Sequence, residues 1–293
     1  AASDVYKRQV IDNPTSSIIP LMNTFSDNQD YEADMFVNNH EAKEIMDDNT
    51  LLVVVDTNKP SITQCEDLLY MAKMIVVLDH HRQGSDTIRN SVLSYIEPYA
   101  SSASEMVAEI LQYFTEGIRI RNVEADSIYA GIMIDTNNFV NSTGVRTFEA
   151  AAFLRRSGAD ITLVRKLFRD DMESYRAKAE IISSAEVYRN KFAIARGVDL
   201  HIESPTIIGA QAANELLDIS EIKASFVLTE YNGRIYVSAR SIDEVNVQII
   251  MERMGGGGHL NIAGCQLENT SVEEGIIVLK RTLDKMIEEG EIS

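Results

Sequence analysis

The sequence predicts an α/β protein: a domain built on a parallel sheet, followed by a smaller α/β domain. Three apolar runs each end in an acid. They are Leu51-Leu52-Val53-Val54-Val55 before Asp56, Met74-Ile75-Val76-Val77-Leu78 before Asp79-His80-His81, and Tyr129-Ala130-Gly131-Ile132-Met133-Ile134 before Asp135. Helix-like stretches alternate with them, the signature of βαβ units. Unbroken Val/Ile/Leu runs suit parallel strands covered on both faces. Ligands of such sheets lie at the carboxyl ends of the strands, where all three acids are expected.

The elements follow in order. Residues 1–9 lead into nothing regular, and Val10-Ile11-Asp12-Asn13-Pro14 reads as the tail of a strand entering a turn, so the domain is expected to begin before the chain does. Next come a strand to Asp56, a helix near 61–72, a strand to Asp79, a helix near 102–114, and a strand-like run from 125 to 131 towards Asp135. Ser101-Ser102-Ala103-Ser104-Glu105 reads as a helix N-cap with a capping-box acid. Residues 147–156 read as a helix stopped by Ser157-Gly158, and 161–187 as one long charged helical segment linking the domains. Beyond it lie strands at 192–196, 224–228 and 234–240, a helix near 245–254, four glycines, and an amphipathic helix over 272–288. The expected layout is therefore 1–9 unassigned and foreign to the fold, 10–160 a first domain, 161–189 a helical connector and 190–293 a second domain.

Composition narrows the function. A chain of 293 residues can form two domains that each bury a core without staples. Cys65 and Cys265 are its two cysteines, too far apart in sequence for a CxxC site, so a reducing, cytosolic setting is expected. No apolar stretch approaches the roughly 20 residues that span a bilayer. The net charge of −18 disfavours long nucleic acid, whose affinity comes from Lys and Arg on phosphates. A small phosphorylated ligand stays compatible with it, because bound cations and a few local basic groups can invert the field in one cleft.

Asp56, His80 and Asp135 offer oxygen and imidazole donors, a set that suits Mn²⁺ or a related metal better than Ca²⁺ or thiolate-bound zinc. The competing reading has Asp56 opening the turn Asp56-Thr57-Asn58-Lys59-Pro60 and the two histidines capping a strand. Three acids, one continued by two histidines, favour the metal. Gly255-Gly256-Gly257-Gly258-His259 is expected to form neither helix nor strand, and to let a backbone nest and an imidazole approach an anion. A hinge or helix C-cap is the alternative. Arg240, in Ser238-Ala239-Arg240-Ser241, ends a strand and could fork onto a phosphate, or could simply be a surface arginine.

Val55-Asp56, Asp79-His80-His81, Asp135-Thr136 and the glycine run with His259 resemble, in order, the motifs of the DHH/DHHA1 phosphoesterases. The resemblance runs from Val10 to the C-terminus. Within the family, residues 51–60, Glu97-Pro98-Tyr99-Ala100-Ser101-Ser102, 238–241 and Asn246-Val247-Gln248-Ile249-Ile250-Met251 look most like the GdpP-type cyclic-di-AMP phosphodiesterases. It implies a Rossmann-like DHH domain joined to a DHHA1 substrate-binding domain, with two Mn²⁺ ions in the cleft. By the same resemblance, Asp56, His80 and Asp135 would be metal ligands, His81 would face the scissile phosphate, and Asp79 would orient it. Arg240, Gly256, Gly257, Gly258 and His259 would hold nucleotide phosphates, and the product of a bacterial second messenger would be linear pApA.

The family's first motif, a histidine and two aspartates, would lie upstream of Val10. The chain is therefore expected to lack its first strand and motif, to hold one metal poorly and to hydrolyse little, while its parent would be active. Parents of the GdpP type carry transmembrane, PAS and degenerate GGDEF parts, which implies a membrane-anchored protein with this portion in the cytoplasm. The expected partner is a small cyclic or linear dinucleotide, without long nucleic acid or membrane contact, and a homodimer is compatible with it. Two other readings stand beside this one: a nanoRNase-like hydrolase of short oligoribonucleotides or pApA, and a non-catalytic nucleotide-binding regulatory module.

Overall fold

The computed structural model describes residues 7–14, 18–114, 119–169, 171–198, 200, 202, 204–242 and 244–292. Two units divide the chain, Ala1–Arg169 and Asp170–Ser293. The first contains β1 (Gln9–Val10), α1 (Ile19–Ser26), β2 (Phe36–Val37), α2 (Asn39–Ile45), β3 (Leu51–Val55), α3 (Asp67–Met71), β4 (Met74–Asp79) and β5 (Leu93–Ile96). Then come α4 (Ala103–Phe114), α5 (Asn122–Asp135), α6 (Val145–Arg156) and α7 (Ile161–Leu167). Of the opening stretch expected to be foreign, residues 1–6 lie outside the described residues. Arg8 pairs with Glu32 at 2.5 Å and Gln9 starts β1, so both belong to the fold.

β3, β4 and β5 pair in parallel in that order. One face is closed by Val54, Ile75 and Val77 packed with Leu69 of α3 and with Ile88. The other is open, with Leu51, Val53 and Val55 about half exposed, so the expectation of a sheet covered on both faces is not met. An unbroken apolar run reports two apolar faces, whereas the helices that follow these strands cover one.

The third apolar run is a correction. Residues 122–135 form the helix α5, not a strand ending in Asp135. Periodicity alone does not separate a buried strand from a buried helix, and a span of 14 residues is helical in length. Ala125, Ala130, Ile132 and Met133 pack with Ala150, Leu154 and Val164 from α6 and α7. Gly131 lets α5 approach α4 closely, because a Cβ there would sit 2.1 Å from the Ser104 hydroxyl oxygen and make it rotate away. The cap on α4 is as expected: the Glu105 amide donates to Ser102 Oγ at 2.9 Å, and Ser101 Oγ donates to the buried Glu105 carboxylate at 2.5 Å.

The long helix expected over 161–187 is also corrected. α7 stops at Leu167, and α8 (Met172–Ser183) begins anew behind Asp171, whose carboxylate accepts from the Glu173 and Ser174 amides. The second unit continues with β6 (Glu186–Tyr188), β7 (Phe192–Gly197), α9 (Pro205–Leu216), β8 (Ala224–Tyr231), β9 (Arg234–Ser241), α10 (Val247–Arg253), β10 (Gly257–Gly258), β11 (Ile262–Glu268) and α11 (Val272–Glu288). Its described strands form one sheet in the order β10-β11-β9-β8-β7-β6, antiparallel except for β7 and β8. Phe192, Phe226, Leu228, Ile235 and Val237 pack on one face against Leu279 and Leu283 of α11. On the other, Ala193, Ala195 and Val227 pack against Ile181 of α8 and Ala212 and Leu216 of α9. No helix among the described residues is long and apolar enough to cross a membrane.

Candidate functional site

In the first unit the site is assembled where β3 and β4 end. Asp56 leaves β3 in the left-handed region at φ 64°, while its amide still donates to the Leu78 carbonyl of β4 at 3.0 Å. This turn aims its carboxylate at the next strand's end: Oδ1 lies 3.4 Å from His80 Nε2. Asp135 Oδ2, at the end of α5, lies 3.8 Å from the same nitrogen. Ligand atoms of Asp56, His80 and His81 all fall within 4.8 Å of one another. The structure therefore places Asp56 and Asp135, both expected from sequence as metal ligands, each beside His80, and adds His81 to the group of Asp56 and His80.

Asp79 stands behind them. It is fully buried, and its Oδ1 accepts from the His81 amide at 3.1 Å and faces His81 Nδ1 at 2.8 Å. Its Oδ2 accepts from Asn58 Nδ2 at 2.5 Å. The imidazole of His81 is thereby held with Nε2 free, a residue's usual route to one tautomer. Asn58 was legible only as part of a turn, although it lies two residues after Asp56 and is just 2% exposed.

The electrostatics fit a cation. His80 Nδ1 lies 3.3 Å from the Ala100 carbonyl, an acceptor, so Nδ1 carries the proton and a neutral ring presents the Nε2 lone pair to two carboxylates. Either a proton or a metal must occupy Nε2. The hydrogen bond to Asp56 raises the His80 pKa, helped by the Asp135 charge and opposed by burial. Burial, and then the neighbouring Asp56 charge, push the Asp135 carboxyl up to about 6. Asp135 also sits at the negative end of a helix, where acids are disfavoured. Oxygen and imidazole donors converging at this cost are a donor set that could hold a metal cation.

The remaining expected residues lie in the second unit. Arg240, next to last in β9, is half-buried; its Nε donates to Asn214 Oδ1 of α9 at 3.0 Å and an Nη to the Ala239 carbonyl at 3.0 Å. Desolvation lowers its pKa. Among the described residues no carboxylate lies within ion-pair distance of it, and its hydrogen bonds go to neutral acceptors. Asn214 carries no sequence signal, since only the packing of α9 on the sheet brings it to Arg240.

The glycine run departs from expectation, because Gly257 and Gly258 form β10 and pair with Gly264 and Ala263. Gly255 ends α10 at φ 84°, its amide donating to Glu252 O and that of Gly256 to Met251 O, a Schellman cap. A Cβ on Gly256 would lie 2.1 Å from Gly264 O, and one on Gly258 would lie 2.5 Å from Ala263 Cα. Close approach is thus partly to the protein's own backbone. Gly257 has nothing within 4 Å of its Cβ position. The His259 amide donates to Ile262 O at 2.7 Å, and Ile262 in turn opposes Arg240, so His259 and Arg240 share one level of the sheet. The His259 residue is exposed.

The chain is 44% identical over 257 residues to the cyclic-di-AMP phosphodiesterase GdpP of Bacillus subtilis (strain 168), covering 87% of this chain and 39% of that protein. It is 42% identical over 234 residues to the cyclic-di-AMP phosphodiesterase PdeA of Listeria monocytogenes serotype 1/2a (strain 10403S), covering 80% of this chain and 36% of that one. The chain thus spans about two fifths of the length of the curated relatives it matches. In fold it is similar to the crystal structure of an exopolyphosphatase-related protein from Bacteroides fragilis, with a TM-score of 0.82, 21% identity, and coverage of 97% of this chain and 84% of that one. Residues 11–132 match the DHH family, N-terminal domain, and residues 193–289 match the DHHA1 domain. With Asp79-His80-His81 ending the second strand of the parallel sheet and the glycine run at the edge of the other, the chain belongs to the DHH/DHHA1 family.

Proposed function

We propose that this chain is the catalytic portion of a Mn²⁺-dependent phosphodiesterase that opens cyclic-di-AMP to linear pApA. The observation that carries the reading is the 44% identity to a cyclic-di-AMP phosphodiesterase over a stretch that includes Asp56, His80, Asp135 and Arg240 together. Asp56, His80 and Asp135 would hold the cation, with His81 beside them. A divalent cation there supplies positive charge to a phosphate and lowers the pKa of water.

The chain's own groups supply the rest. His81, fixed through Nδ1 by Asp79, presents Nε2 as the atom that holds or passes a proton at the scissile phosphate. Asn58 keeps the Asp79 carboxylate from turning away. Arg240, the open Gly257 position and His259 would take the nucleotide phosphates, with Asn214 holding the guanidinium in place.

The test is chromatography of cyclic-di-AMP incubated with the 293-residue chain and Mn²⁺. The described donors make one cation position, so pApA is expected to build slowly, over hours, and to vanish with EDTA or in Asp56→Asn. Saturable binding of cyclic-di-AMP without product would favour the non-catalytic nucleotide-binding module. Absence of both binding and product would refute the proposal.

A further inference from the structure

The second unit carries a cavity of about 440 Å³ whose walls include Thr206, Tyr236, Ser238, Gly264 and Gln266. Strand register explains the grouping. Tyr236 directly opposes Gln266 across β9 and β11, Ser238 opposes Gly264, and Arg240 opposes Ile262. Opposed residues share a face, as do alternate residues along a strand. Tyr236, Ser238 and Arg240 therefore form one strip, flanked by Gly264 and Gln266.

The strip has two chemically different ends. Arg240 lies four residues along β9 from Tyr236, about 13 Å at strand rise. The adjoining helix repeats this spacing: Asn214, bonded to Arg240, and Thr206, lining the cavity, are eight residues apart, about 12 Å of α-helix. One end thus holds a guanidinium with no carboxylate within ion-pair distance among the described residues, and the other an aromatic ring and an exposed carboxamide. A nucleotide has the same order, with phosphate at one end and base at the other.

We propose that Tyr236 and Gln266 form an adenine subsite, a reading that rests on Arg240 holding a nucleotide phosphate. The half-buried Tyr236 ring, braced by Tyr231 at 6.3 Å between centroids, offers a stacking face. The exposed Gln266 carboxamide carries a donor and an acceptor side by side, the pair that adenine N7 and N6 require. Guanine presents two acceptors at O6 and N7 and calls for Arg or Lys, and no cation is among the residues lining the cavity.

Calorimetry of the 293-residue chain with AMP and with GMP, both without metal, tests this. AMP is expected to bind about tenfold more tightly than GMP, and Gln266→Ala to erase that preference. Tyr236→Leu should weaken both ligands about tenfold, while Tyr236→Phe should bind AMP as the unaltered chain does. Arg240→Gln should weaken both, which tests the underlying phosphate reading. Equal binding of AMP and GMP, a preference that survives Gln266→Ala, or no effect of Tyr236→Leu overturns the subsite while dependence on Arg240 leaves the phosphate reading standing. Binding indifferent to Arg240→Gln, or no binding of either nucleotide, overturns both.

Discussion

Asn58→Asp replaces one donor by an acceptor without changing volume, at the contact that holds the site from behind. Asn58 Nδ2 and Asp79 Oδ2 are 2.5 Å apart, and the two residues are only 2% and 0% exposed. Two carboxylates at that separation would repel by about 6–7 kcal/mol at an effective dielectric of about 20. A proton binds before that limit is reached, because carboxyl groups sharing one site retain it. Retaining it at pH 7, against an ordinary carboxyl titrating near 4, costs about 1.4 kcal/mol per pH unit, or about 4 kcal/mol.

Once protonated, the new carboxyl donates to Asp79 as the amide did but leaves the His81 carbonyl without the second hydrogen that Asn58 Nδ2 gives it at 3.3 Å, so in acid the variant falls short of unaltered stability only by that longer bond, about 1 kcal/mol at every pH. The shared proton has a folded-state pKa above its unfolded value. Its stabilising contribution is therefore complete below about pH 4 and is lost as pH rises through the folded value. Thermal melts in EDTA at pH 5, 6, 7 and 8, followed by circular dichroism, read this out. Beyond that constant loss, at roughly 2–4 °C per kcal/mol for a unit of this size, the first unit should melt about 8–16 °C lower at pH 7, and roughly 3–6 °C lower at pH 5. Asn58→Ser should show a smaller loss with no slope. A loss for Asn58→Asp that is the same at pH 5 and pH 8, or absent at pH 8, would refute the reasoning.

Asp135→Asn should act in the opposite direction on stability and against metal binding. Its raised carboxyl pKa, about 6, means that its contribution is present at acid pH and lost as pH rises through that value; with the side chain 33% exposed, the metal-free variant should gain about 1–2 kcal/mol at pH 7.5 and nothing near pH 4, measured by urea titration. Mn²⁺ should raise the melting temperature of the unaltered chain and do so far less for His80→Ala, with equal shifts counting against the assigned donors. Gly258→Ala, at φ 147° and with a Cβ 2.5 Å from Ala263 Cα, should destabilise by about 2–4 kcal/mol. Gly257→Ala, with open space at its Cβ position, should stay within about 0.5 kcal/mol and show its effect in nucleotide binding instead, as calorimetry would report.

How much was legible in the sequence differs by residue, for physical reasons. Asp79-His80-His81 could be placed at a strand end because an apolar run that stops at charge is a local signal. Asp56 was legible for the same reason, and α11 was bounded at 272–288 by its amphipathic pattern, with the Ser271 cap seen only in the structure. Asp135 was expected beside His80 and lies 3.8 Å from its Nε2, but on a helix instead of a strand, since short apolar runs do not distinguish a buried helix from a buried strand. α9 and β11 went unread: the first is rich in alanine with little contrast between its faces, and the second is interrupted by Gly264.

The sequence by itself determined the family, the two sheet-bearing parts and the acids and histidines that follow β3 and close β4, because motif order and strand-end acids are properties of contiguous residues. Tertiary structure alone decided how those donors are poised. Asn58 reaches Asp79 across 21 residues, Arg240 is braced by Asn214 across 26, and Tyr236 meets Gln266 only through strand register. It also divided the glycine run into a cap, two close approaches and one open position. Such distinctions depend on what lies opposite each residue in space, and that information exists only once the chain has packed.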